Sequence, residues 1–102
     1  MITREQSEDW ASDFAQSTPG SFLPDDVKEH AASVCAAFLG QAGEATEDAL
    51  RRSLLEQMPA LQLPDPVRKA IPEIVRAFLE WMQDVGRLGD GYSLGKFVGA
   101  LA

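Results

Sequence analysis

The sequence predicts an all-α fold, a compact bundle of about five helices forming a single domain. Three observations carry that expectation. Apolar residues recur at three- and four-residue steps along most of the chain. No segment alternates with period two or is enriched in β-branched residues. Prolines and glycines interrupt the chain at intervals that fit helix lengths. At 102 residues the chain is long enough to bury a core without disulfide or metal staples.

The first helix is expected over about Thr3 to Gln16, with Thr3 as its cap and Glu5, Glu8 and Asp9 near its positive end. Its apolar content is thin, Trp10 and Phe14 four residues apart on a polar rod. Two readings of that pair follow: both rings pack on the same domain, or an acidic helix presents Trp10 and Phe14 to a partner. The chain then divides into an acidic N-terminal helix over residues 1–20, loosely docked, and a helical core over residues 21–102. Ser17 to Leu23 has the turn residues of a loop.

A second helix opens at Pro24-Asp25-Asp26 and is expected to end at Gly40. Val27, Ala31, Val34 and Phe38 share one face, widened by Ala32, Cys35 and Leu39. After a turn over Gly40 to Ala45, Thr46 reads as an N-cap, followed by the stripe Leu50, Leu54, Leu55 and Met58. Pro59 disfavours helical backbone at Met58. Leu61 to Asp65 reads as an extended link. Asp65-Pro66 starts a short helix over 66–70, and the main helix is expected from Ile71 to Val85, because Pro72 lacks the N–H a continuous helix needs. Its stripe is Ile71, Ile74, Phe78, Met82 and Val85, with Lys69, Glu73, Arg76 and Glu80 as a charged outer ladder. Gly86, Gly89 and Gly91 break it. Ser93 then caps a last helix carrying Leu94, Phe97, Val98 and Leu101, with Gly95 and Gly99 thinning its outer face. The expected core comprises Val27, Val34, Phe38, Leu50, Leu54, Leu55, Met58, Ile71, Ile74, Phe78, Met82, Phe97 and Leu101.

Charge is distributed unevenly. The net charge of −7 falls as −5 in residues 1–30, −2 in 31–60 and zero in 61–102. An acidic front half repels phosphate backbones and anionic lipid, so nucleic-acid binding is not expected. The first nine residues lack the apolar stretch of a signal peptide, and no run approaches the roughly 20 apolar residues of a membrane helix. The expectation is a soluble cytoplasmic protein with no membrane association.

Chemistry is sparse in the linear pattern. One cysteine and one histidine cannot build a zinc cage, and neither a metal nor a cofactor is expected. His30 and Cys35 lie about 140° apart around one helix and do not face each other. Cys35 reads as a buried structural thiol, and His30 as a surface partner of Asp26 four residues earlier. Gly86-Arg-Leu-Gly-Asp-Gly91 follows a helix rather than a strand and lacks the Gly-Lys-Ser/Thr ending of a phosphate loop. No catalytic residue is assigned.

Two stretches carry resemblances. Leu88 to Leu101 loosely resembles the Asp-Ser-Leu motif of acyl carrier proteins, where the serine carries a pantetheine arm. Tyr92 stands where that aspartate would be, and Ser93 is read as a cap. Residues 46–88 run from a helix ending at Met-Pro, through Leu-Gln-Leu-Pro, to Ile-Pro-Glu-Ile-Val-Arg-Ala-Phe-Leu-Glu-Trp-Met. This is similar to helical segments of uncharacterised bacterial proteins associated with SEC-C-type zinc motifs. The resemblance implies an accessory helical module. The cysteine-rich motif itself is absent, so no metal role is implied.

The expected function is a non-catalytic protein-interaction or regulatory module with a protein partner, and Trp10 and Phe14 as candidate contacts. The alternative is a small ligand-binding or enzymatic helical domain whose pocket converges on Arg76, Trp81, Tyr92 or His30. Self-association into a homo-oligomer is a third reading.

Overall fold

Thr3 starts the first helix by bonding in both directions. Its hydroxyl accepts from the Gln6 N–H and the Gln6 side chain accepts from the Thr3 N–H, both at 3.1 Å. This capping box opens α1 (Arg4–Gln16) in the computed structural model, which describes residues 2–101. The remaining helices are α2 (Thr18–Ser21), α3 (Asp25–Ala42), α4 (Glu47–Arg52), α5 (Asp65–Asp84) and α6 (Gly91–Ala100). There is no strand among the described residues. α3 and α5 pack together at the centre. α1 covers α3, α6 covers α5, and α2 and α4 close the ends. The Cα radius of gyration is 11.9 Å, slightly under the ~13 Å typical of a 100-residue domain.

α1 is integral to this core, which corrects the expectation of a loosely docked helix. Ala11 and Phe14 have no exposed surface. α1 runs antiparallel to α3, with the Ile2 N–H donating to the Gly43 carbonyl at 2.7 Å. Further along, Ser7 meets Gly40, where a Cβ would lie 3.0 Å from the serine hydroxyl oxygen. That contact explains why α3 runs through Gly40 instead of stopping there. The glycine serves helix approach, and the turn falls to Gly43 at φ 74°, a backbone only glycine adopts cheaply.

Ser17 to Leu23 contains a one-turn helix where a loop is expected. The Ser17 hydroxyl accepts from the Gly20 N–H, and Pro19 lies in the first turn. Thr46 caps α4 as expected, accepting from the Ala49 N–H at 3.3 Å. Beyond α4 the chain widens into a π turn over Ser53–Gln57, in which the Met58 N–H reaches back five residues to the Ser53 carbonyl. A 3₁₀ turn over Met58–Ala60 follows, with Met58 in right-handed helical backbone despite Pro59. Pro59 has no N–H for the Leu55 carbonyl, so the regular ladder ends here. The wide turn keeps Leu54 and Met58 inside and leaves Leu55 49% exposed, so Leu55 is not a core residue. Ser53 anchors the turn: its buried hydroxyl donates to the Phe38 carbonyl of α3 at 2.7 Å.

α5 is one helix across the expected break. Pro72 lies inside it and removes a single backbone donor, while eight buried side chains from Val67 to Met82 hold the helix against its neighbours. Pro64, not Asp65, precedes the first turn, without a side-chain cap. α6 begins at Gly91 rather than at Ser93, and Asp90 precedes it. Its glycines face inward. A Cβ on Gly91 would overlap the Leu79 carbonyl oxygen, and one on Gly95 would lie 3.2 Å from the Arg76 carbonyl oxygen. Gly91, Leu94, Gly95 and Val98 thus form the buried face, and Phe97 and Leu101 are only half-buried, against expectation.

Cys35 is fully buried, as expected, and burial pushes its thiol well above its ordinary pKa. Of the charged ladder on α5, Arg76 and Glu80 form an ion pair at 3.1 Å. His30 forms no ion pair with Asp26.

Candidate functional site

The residues singled out by sequence are not gathered into one site. Phe14 lies in an aromatic cluster, its ring centroid 5.3 Å from Phe78 and 5.7 Å from Trp81. A ring with no exposed surface is not available to a partner, so Phe14 is a core residue. Trp10, one turn earlier, is half-buried against the same core. Above Trp81, the Arg87 guanidinium sits 5.1 Å from the ring centroid and pairs with Asp13 at 2.7 Å, tying the end of α1 to the link before α6.

Arg76, Trp81, Tyr92 and His30 do not converge either. Arg76 is engaged with Glu80, and Trp81 is in the aromatic cluster. The Tyr92 hydroxyl donates to the Asp84 carboxylate at 2.8 Å on an exposed surface. That bond, made to the neutral phenol beside a negative charge, raises the Tyr92 pKa above its ordinary value of 10.0. Among the described residues, no group of three or more His, Cys, Asp or Glu side chains is placed to hold a metal ion. No described helix is long and apolar enough to cross a membrane.

Two concave surfaces stand out among the described residues. One, of about 640 Å³, lies over α1 and the small residues of α3, between Arg4 and Glu8 and the row Ala32, Ala36, Gly40. The other, of about 400 Å³, is an open groove between the 54–59 segment and the first half of α5. Leu54, Leu55, Met58 and Pro59 come from one segment, Ile71 and Pro72 from the other, and Leu101 also lines it. Arg68 is the one charged side chain lining it among the described residues. Its Nη2 donates to the Pro59 carbonyl at 3.0 Å, joining the two segments.

Sequence reasoning missed this groove because it is made by two segments distant in the chain. The readable traces were Pro59 and Pro72, both lining it, each of which withdraws a donor from the helical ladder. Comparison with protein-family models, with curated proteins and with solved structures gives no match for this chain.

Proposed function

We propose that this chain is a non-catalytic protein-interaction module whose docking face is the groove between the 54–59 segment and the first half of α5. The observation that carries the reading is Leu55. A large aliphatic side chain, 49% exposed beside Leu54, Met58 and Ile71, adds apolar surface to an already apolar concavity. An open trough of this kind suits the apolar face of a helical or extended segment, whereas a small molecule needs closer enclosure. Docking thus rests on the groove and not on Phe14. The test is a pair of baits in native lysate, the wild-type chain and Leu55→Glu. A partner retained by the first and lost by the second, with unchanged melting, supports the reading. A partner held equally by both moves the docking face elsewhere, and retention of none by either bait overturns it.

A further inference from the structure

The groove carries one more piece of information, the sign of its charge. In a chain with 16 acidic and 9 basic residues, the single charged side chain lining the groove among the described residues is a cation, Arg68. It belongs to none of the ion pairs among the described residues, which are Arg4–Glu8, Arg76–Glu80 and Arg87–Asp13. The nearest acids in sequence, Glu56, Asp65 and Glu73, are exposed and do not line the groove. Arg51 and Arg52 precede the 54–59 segment in sequence and do not line the groove.

The Arg68 guanidinium is also held in place. It carries five N–H donors in a planar fork, and one nitrogen is fixed on the Pro59 carbonyl. The remaining donors stay available at an exposed position beside apolar walls. A planar cation fixed on its own backbone loses little further freedom when a carboxylate arrives, and the apolar surroundings strengthen the contact.

Resting on the docking reading above, we infer that the partner segment is amphipathic and acidic: apolar residues fill the groove while an Asp or Glu side chain beside them bonds Arg68. The partner is thus recognised by a carboxylate next to aliphatic side chains, and a basic amphipathic segment is rejected.

The test pans a random-peptide library on the full chain and, in parallel, on Leu55→Glu, keeping peptides retained only by the wild type. Their synthetic forms are then measured by fluorescence anisotropy against wild type, Arg68→Gln and Arg68→Glu, with melting curves confirming that each variant folds. Peptides rich in Asp or Glu beside apolar residues are expected, with affinity on the order of tenfold weaker on Arg68→Glu and falling with salt. A peptide with Lys in place of its acid should regain affinity on Arg68→Glu. Leu55-dependent peptides that bind Arg68→Glu as well as wild type would overturn the acidic partner and leave the docking face standing. Absence of any Leu55-dependent peptide, or displacement of a long-chain fatty acid probe with no peptide retained, would overturn both.

Discussion

The two halves of α5 are covered by different means. Over its second half lies α6, brought close by Gly91, Gly95 and Gly99, four residues apart, so that backbone meets backbone at Leu79 and Arg76. The α6 glycines reach no further back than Arg76. The 54–59 segment, wound as a π turn and then a 3₁₀ turn, stands off from Arg68, Ile71 and Pro72 and leaves the groove. Leu101, directly after α6, also lines the groove. Close packing needs a regular rod and small side chains on it. Where the partner strand is irregular and carries leucine and proline, a concavity remains.

That contrast can be broken most severely from the closed side. Phe14→Ala empties a site between Phe78 and Trp81 and is expected to cost roughly 3–5 kcal/mol in urea unfolding. A loss under about 1 kcal/mol would mean that α1 is peripheral after all. Gly91→Ala attacks the seam itself. Its new methyl meets the Leu79 carbonyl and Gln83, and overpacking of about 1–3 kcal/mol is expected. A neutral result would show that α6 moves away freely.

A gentler probe sits at the start of α6. Tyr92 ionises later than free tyrosine because the Asp84 carboxylate accepts its proton-bearing hydroxyl. Ultraviolet titration should show a midpoint above 10.0, lowered by Asp84→Asn. The native state holds the phenolic proton more tightly than the unfolded chain, so the contact stabilises the fold below the unfolded midpoint and fades as pH rises through the folded one. An unshifted midpoint would detach Tyr92 from Asp84.

The smallest effect belongs to the open side. Leu55→Ala should alter stability by no more than about 0.5 kcal/mol, since half of that side chain is already in water. A loss of several kcal/mol would mean that Leu55 is buried in solution and that the groove is closed.

The sequence disclosed these two regions unequally. Two caps were legible because they are local, Thr3 and Thr46 each bonding a residue three positions on, whereas Ser93 and Asp65 lie inside their helices and cap neither. The α3 and α5 stripes were legible from spacing, save that Val85 follows the end of α5 and is 49% exposed. The inward face of α6 was not, because Leu94 and Val98 belong equally to the glycine-lined side and to the side with Phe97 and Leu101. Only packing against Arg76 and Leu79 decides between them. The π turn was hidden for another reason. A five-residue hydrogen bond has no composition of its own, and Leu55 reads as core on any helical count. The groove followed from that turn and was hidden with it.

Cys35 gives the molecule a built-in clock. The one sulfhydryl in the chain lies inside α3 with no exposed surface and a reluctance to lose its proton. Alkylating reagents, which attack only the accessible anion, must wait until the centre of the bundle parts. The pace of labelling thus meters the share of molecules whose interior stands open when reclosing outruns alkylation, and the opening rate itself when alkylation is the faster step, without a single engineered change.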